Sequence, residues 1–170
     1  ELVRKIAGYH PSMLLLLDQA ETPMFHIEME LKDNFRDLHY KAIIGDVKNK
    51  GRLKQLFDEY HPHIVYHAAA YKHVPMMECN VMEAIENNVI GTKVLADLCV
   101  ENNVEKFVFI STDKAVKPTN VMGASKRIAE MYVQTLNQLN KTRFVTTRFG
   151  NVLGSNGSVV ELFRKQIEQG

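Results

Sequence analysis

The sequence predicts an α/β fold, a doubly wound parallel sheet, and three observations carry that reading. Short apolar runs of strand length recur along the chain, each bounded by polar or small residues; Met13-Leu14-Leu15-Leu16-Leu17 is the purest of them. Runs of this kind are typical of strands in a parallel sheet. Between them lie stretches with apolar residues at i, i+3 and i+4, the helical spacing, and strand alternating with helix is the pattern of βα units. The runs also end in acidic, small or hydroxyl residues, namely Asp18, Asp46, Ala68 and Ser111. In open α/β sheets ligands bind beyond the carboxyl ends of the strands.

Taken in order, residues 1–9 read as the tail of an amphipathic helix and 13–17 as a strand. An acid at that strand's end, Asp18, is what a dinucleotide fold uses to bind the adenosine ribose hydroxyls; its charge repels a 2′-phosphate, which favours NAD over NADP. The alternative is a helix-capping Asp, disfavoured if the next helix begins at Pro23. Met24, Ile27 and Leu31 give residues 23–35 helical spacing, with His26 on the surface. Residues 40–44 form a second strand ended by Gly45-Asp46-Val47, where Asp46 reads equally as a cap for the helix containing Leu53, Leu56 and Phe57. The third strand, 63–67, runs into Ala68-Ala69-Ala70, small side chains that let a ligand approach the backbone. His67 with His61, His63 and His73 is a poor metal set, because alternate strand residues face opposite ways. A long helical stretch then runs to about Asn102.

Phe107-Val108-Phe109-Ile110 reads as a strand buried on both faces, followed by Ser111-Thr112-Asp113-Lys114. An acid and an amine side by side at a strand end are placed for proton transfer. Pro118 fixes a turn. The helix after it carries Met122 and Lys126 on one face, one turn apart; Ile128, Met131, Val133 and Leu136 are read as its buried residues. A last strand, 143–147, leads to Arg148-Phe149-Gly150-Asn151-Val152-Leu153-Gly154, either a phosphate-binding loop or a plain turn. Ser158 caps a final helix from Val159 to Gln169.

Composition sets the outer limits. At 170 residues, 45% hydrophobic and 24% charged, the chain is sized for about one globular domain. A net charge of +1 argues against a nucleic-acid footprint. Cys79 and Cys99 have no ligand spacing and read as buried reduced thiols. No apolar run approaches the roughly 18 residues of a membrane span, and no signal peptide is expected within these residues.

The segment from Phe107 to Lys126 resembles the extended short-chain dehydrogenase/reductases, in which a Ser/Thr at a strand end precedes Tyr-x-x-x-Lys on a helix; here Met122 stands at the Tyr position. Ser111-Thr112-Asp113-Lys114-Ala115 with Pro118-Thr119-Asn120-Val121-Met122-Gly123-Ala124-Ser125-Lys126 is similar to the UDP-N-acetylglucosamine 4,6-dehydratases of bacterial polysaccharide synthesis, and the Met variant to their large, membrane-anchored branch. The resemblance implies a Rossmann-like NAD-binding domain over residues 1–170 that lacks the first strand, its glycine turn and the C-terminal substrate portion, and that is inactive by itself. In the complete fold that first strand lies between the strands at 13–17 and 63–67, so no regular ladder should join those two.

By the same resemblance, Asp46 and Val47 contact adenine; Ala68, Ala69 and Ala70 line the diphosphate and nicotinamide ribose; Asn88 supports the active-site strand; Lys126 binds the nicotinamide ribose. Lys72, His73, Asn151, Ser158 and Val159 face a UDP-sugar. The implied reaction is a dehydration with lyase outcome, in which the sugar C4 is oxidised, water is lost across C5 and C6, and the hydride returns to C6. Met122 moves no proton, so Thr112 is expected to relay the C4 hydroxyl proton, Lys114 to remove the C5 proton and Asp113 to protonate the leaving hydroxyl. Asp113 can do so only when protonated, which desolvation favours and a pair with Lys114 opposes. Asp113 and Lys114 are expected to point in different directions, as adjacent strand residues do. The alternatives are a nucleotide-sugar 4-epimerase and a non-catalytic cofactor-binding domain. A homo-oligomer at the cytoplasmic face of the bacterial inner membrane, anchored by a part of the parent outside this chain, is also implied.

Overall fold

The computed structural model describes residues 1–152, 163 and 166–169. Two parallel sheets run through it. In one, β1 (Leu14–Asp18) pairs with β2 (Tyr40–Ile44), Leu14 opposite Tyr40 and Asp18 opposite Ile44. In the other, β3 (Ile64–His67), β4 (Lys106–Thr112) and β5 (Arg143–Phe149) lie in that order, with Thr112 opposite Phe149. Among the described residues no ladder joins β1 to β3, the arrangement predicted for a sheet without its central strand.

The helices between residues 1 and 152 are α1 (Leu2–Ala7), α2 (Glu21–Asn34), α3 (Lys50–Tyr60), α4 (Val74–Cys79), α5 (Val81–Ala84), α6 (Thr92–Glu101) and α7 (Val121–Leu136). The long helix expected before Asn102 is interrupted. Asn80 leaves helical geometry at φ −134°, its amide donating to the Met76 carbonyl, and Ile85–Gly91 winds as a π-helix between α5 and α6. A π segment turns by more residues per hydrogen bond; here both Asn87 and Asn88 face inward and are buried.

The main core lies between the β3–β5 sheet and the helices α3, α6 and α7: Phe107, Phe109, Leu53, Phe57, Leu98, Cys99, Ala129 and Val133. Each large buried side chain there contributes about 1.5–3 kcal/mol relative to exposure. A second cluster of Ala7, Leu16, Met24 and Leu31 joins α1 and α2 to the first sheet.

Several expectations are corrected. Strand β4 is not equally buried on both faces: Phe107, Phe109 and Ser111 are buried, and the alternate residues only partly so. Helix α2 begins at Glu21, not Pro23, and α3 is capped by Asn49, whose side chain accepts from the Arg52 N–H, so Asp46 is not that cap. Cys79 is exposed, Cys99 buried. On α7, Ile128 and Met131 are more than half exposed. The inward face is Met122, Ser125, Lys126, Ala129, Glu130 and Val133 instead, a 3–4 spacing into which Ile128 and Met131 do not fall. His26 lies on the surface as expected.

Candidate active site

The site is built where β4 ends. Thr112, its last residue, caps a single 3-10 turn, Asp113–Ala115, by accepting from the Lys114 N–H. Its hydroxyl donates to Asp113 Oδ1 at 2.9 Å, and Lys114 Nζ donates to the same oxygen at 3.1 Å. Lys114 Nζ also reaches Asn151 Oδ1 at 3.3 Å, just past β5. Thr112, Asp113, Lys114 and Asn151 thus form one cluster. The expected divergence of Asp113 and Lys114 is overturned, because they lie in a 3-10 turn and not a strand, and they pair with each other. The Thr112 hydroxyl, then the Lys114 ammonium, hold the Asp113 carboxyl below its ordinary range. Of the two opposing influences foreseen for Asp113, the pairing prevails over desolvation, since its side chain is 56% exposed.

Close backbone approach fixes this turn. Gly123, in the first turn of α7, lies so near Lys114 that a Cβ would sit 2.5 Å from the Lys114 carbonyl oxygen. Asn120 caps α7, its side chain accepting from the Gly123 N–H at 2.8 Å. One turn further on, Lys126 is buried with its Nζ 4.3 Å from the centre of the Phe109 ring. Burial pushes its amine down to about 8, against the raising influence of Glu130. Met122 is also buried, but it packs with Met77, Ala84, Val74 and Tyr71 as an apolar plug between α4 and α7.

Among the described residues the buried Lys126 Nζ has no hydrogen-bond partner, and the buried Ser111 hydroxyl has only the Glu130 carboxylate beside it. Ser111 and Phe109 share one face of β4, the face covered by Lys126. Buried polar groups are nearly always paired, so an orphaned amine beside a buried hydroxyl on one face suits a ligand carrying hydroxyl groups, such as a ribose.

The remaining candidates fall around this centre. Asp18 ends β1, exposed, with one carboxylate oxygen accepting from the Ala20 N–H. Asp46 accepts from the Lys48 N–H, and Lys48 bridges Asp46 and Glu86. Val47 is buried against Gly91, where a Cβ would lie 2.7 Å from Val47 Cγ2. Ala68, Ala69 and Ala70 follow β3 in an irregular segment, leading to the exposed Lys72 and to His73, which precedes α4.

Asn88 does not brace β4 as expected. Its amide donates to the Tyr71 carbonyl and to Ser125 Oγ and accepts from the Tyr71 N–H, so it clasps the segment after β3 to α7. His67 points inward, stacked on Phe109 and bonded to Thr92 Oγ1 at 2.8 Å. Thr92 gives its one hydroxyl hydrogen to the Asn88 carbonyl, so His67 Nε2 is the donor. Burial, then the Lys126 charge, push this imidazole down to about 3. Ser158 and Val159 lie outside the described residues.

Sequence reasoning missed Glu130 and Arg148. Glu130 is fully buried; Arg148, from β5, grips it with two hydrogen bonds of 2.8 and 2.6 Å, and Arg127 adds a third at 3.2 Å. The available signal was an acid four residues after Lys126, on the same helical face.

A parallel α/β sheet in which one strand ends in a hydroxyl and an acid–amine pair, with a buried lysine on the following helix, defines the class, a Rossmann-like α/β domain with a candidate acid–base site at a strand end. More particularly, the chain belongs to the family described as polysaccharide biosynthesis protein, which matches residues 1–170. It is 51% identical to the capsular polysaccharide biosynthesis protein CapD of Staphylococcus aureus, over all of this chain and 29% of that protein. It is 39% identical to a Campylobacter jejuni UDP-N-acetylglucosamine 4,6-dehydratase (inverting), over 97% of this chain and 48% of that one. The chain therefore spans about half or less of these relatives' length. The crystal structure of Pen from Bacillus thuringiensis superposes with a TM-score of 0.90 at 32% identity, covering 99% of this chain and 51% of that one. A dTDP-glucose 4,6-dehydratase from Streptomyces venezuelae, solved with NAD bound, shares the fold at a TM-score of 0.79 and 18% identity, over 99% and 58% of the two chains. No helix among the described residues is long and apolar enough to cross a membrane.

Proposed function

We propose that the whole protein carries out NAD-dependent 4,6-dehydration of UDP-N-acetylglucosamine, giving a UDP-4-keto-6-deoxy sugar for polysaccharide synthesis. The observation that carries this reading is the contact chain Thr112–Asp113–Lys114–Asn151 beside Ser111 and the partnerless Lys126. Identity to the Campylobacter jejuni dehydratase supports the substrate class. Asp18, acidic at the end of β1, supports NAD over NADP. Asp46, Val47, Ala68, Ala69 and Ala70 would line the cofactor, and Ser111 and Lys126 would meet its hydroxyls. NAD supplies the acceptor for the C4 hydride and returns that hydride at C6.

The side chains supply the proton transfers. Thr112 passes the C4 hydroxyl proton to the Asp113 carboxylate, with which it already shares a hydrogen bond. Lys114 gives a proton to solvent. Its amine then takes the C5 proton, acidified by the C4 ketone. Asp113 delivers its proton to the C6 hydroxyl, which leaves as water. Lys114 returns a proton to C5 as the hydride enters C6, then takes back from solvent the proton it released, and the Asp113–Lys114 pair re-forms. Lys72, His73, Asn151, Ser158 and Val159 would face the UDP-sugar.

The domain is read as part of a homo-oligomer at the cytoplasmic face of the inner membrane. Its central strand, glycine turn and membrane anchor would come from segments outside this chain, the strand entering between β1 and β3. The deciding experiment follows solvent deuterium entering C5 and single-turnover reduction of NAD in the full-length protein. Lys114→Ala should abolish the first and leave the second. Wild-type exchange in that variant would sink the assignment, and a product that is only the C4 epimer would replace dehydration with 4-epimerisation.

A further inference from the structure

The proposed function has Lys126 meet the hydroxyls of NAD, where an ammonium is the stronger donor, yet the structure surrounds this amine with groups that disfavour charge. It is buried, lies over Phe109 and has no hydrogen-bond partner. From β3 the neighbouring titratable group is His67, a buried imidazole that gains nothing by meeting a second cation. From the π-helix and the start of α7 come Asn88 and Ser125, uncharged and bonded to each other. At the strand end Asp113 and Lys114 are occupied with one another. Among the described residues the buried anion on the face of Lys126 is Glu130, one helical turn along α7 and fully buried.

A carboxylate with no exposure is costly unless it is paired and hydrogen-bonded. Glu130 is gripped by Arg148 in a two-bond fork and by Arg127, whose side chains are 36% and 38% exposed. The arginines therefore sit at the rim, and the buried charges are Glu130 and Lys126. Burial pushes the Glu130 carboxyl upward, but hydrogen bonding to Arg148, then to Ser111 and Arg127, together with the Arg148 charge, brings it below its ordinary value.

We propose that Glu130 is a positioning residue for Lys126: its buried carboxylate is the counter-charge that keeps the Lys126 amine an ammonium, and Arg148 and Arg127 hold that carboxylate in place. The arrangement also ties α7 to β5, so the helix bearing Lys126 and the strand leading to Asn151 are held by one carboxylate. The inference rests on the reading that Lys126 faces the cofactor, and the test separates the two.

Full-length protein carrying 13C at lysine Cε is titrated by NMR in the absence of cofactor, with Lys126→Arg assigning the signal. Glu130→Gln keeps the shape and removes the charge. Lys126 should then titrate at least about one pH unit lower, a change of roughly tenfold or more in its ionisation constant, for unit charges one turn apart at an effective dielectric near 20. Glu130→Asp keeps the charge and should hold the titration within about half a unit of wild type. Arg148→Met removes a cation from beside Glu130 and should move the titration upward. An unchanged Lys126 titration in Glu130→Gln, or a downward move in Arg148→Met, overturns the proposal, even where melting temperatures fall. If Glu130→Gln does not fold, the Asp and Met variants decide the matter: an Asp variant that titrates lower by a unit or more overturns it as well. Adding NAD to the same samples tests the underlying reading. Failure of the wild type to bind NAD, with the titration shifts intact, rejects the cofactor role of Lys126 and leaves the Glu130 assignment standing.

Discussion

Replacing Gly123 by alanine should damage catalysis far more than folding. The new methyl would lie 2.5 Å from the Lys114 carbonyl oxygen, 3.1 Å from its carbonyl carbon and 3.3 Å from Asn120 Oδ1. Ordinary contact is reached near 3.5 Å, so the first turn of α7 and the Asp113–Ala115 turn must separate by about 1 Å. Two of the three atoms are backbone, so no side-chain rotation relieves the clash. Overpacking of this kind costs about 1–3 kcal/mol, and alanine returns up to about 1 kcal/mol in helix propensity. The Asn120 cap to the Gly123 N–H is strained as well, at about 1 kcal/mol. The net loss of stability should therefore be about 1–3 kcal/mol, a lowered melting temperature but a folded protein. Catalysis has no such compensation. A displacement of about 1 Å in an acid–base group can cost about 100-fold, and the displaced turn carries both Asp113 and Lys114. Steady-state turnover and thermal melting of full-length Gly123→Ala measure the two effects. Gly51→Ala, whose methyl would meet only Asn49 Oδ1 at 3.7 Å, is the control and should leave turnover unchanged. Wild-type turnover in Gly123→Ala would falsify the claim that close approach of α7 sets the reactive turn.

Three further outcomes are expected. His67 is neutral when folded, with its pKa near 3 against an ordinary 6.5, so the unfolded chain binds the extra proton. Its stabilising contribution is complete above pH 6.5 and lost as pH falls toward 3, by about 2 kcal/mol at pH 5. Denaturant unfolding at pH 8 and pH 5 should show this loss in wild type and much less of it in His67→Gln; equal losses in the two would remove His67 as the cause. Thr112→Val breaks the hydroxyl link to Asp113 and should slow single-turnover NAD reduction by about 10²-fold or more, whereas Thr112→Ser should restore most of the rate. Met122→Leu should change stability by less than about 1.5 kcal/mol and leave turnover close to wild type, because a thioether in an apolar plug moves no protons. A large loss of turnover at unchanged stability would contradict that account.

The order of strands and helices was legible from the sequence because it rests on local pattern. Leu14 to Leu17, Phe107 to Ile110 and Phe144 to Thr147 announce strands through run length and boundaries, and the observed elements differ from those limits by one or two residues. The absent pairing between β1 and β3 among the described residues came instead from the family resemblance, which implies a central strand between them. The Thr112-Asp113-Lys114 segment and Lys126 were legible as a motif, since residues close in sequence at a strand end and on a following helix have few places to go.

Only the tertiary structure decided how those groups are charged and held. The sequence places Asp113 beside Lys114; the 3-10 turn, braced by Gly123, makes them a pair and brings Asn151 to the same ammonium across 37 residues. Pattern alone put Ile128 and Met131 in the core, because apolar residues usually go inward. The folded chain buries Lys126 and Glu130 instead, and it can do so because Arg148 arrives from β5 to satisfy the carboxylate. That partner is 18 residues from Glu130 and on another element, and no local periodicity records it. The interior position of a charge depends on what the rest of the fold brings to it, which is a property of the assembled structure and not of the helix that carries the residue.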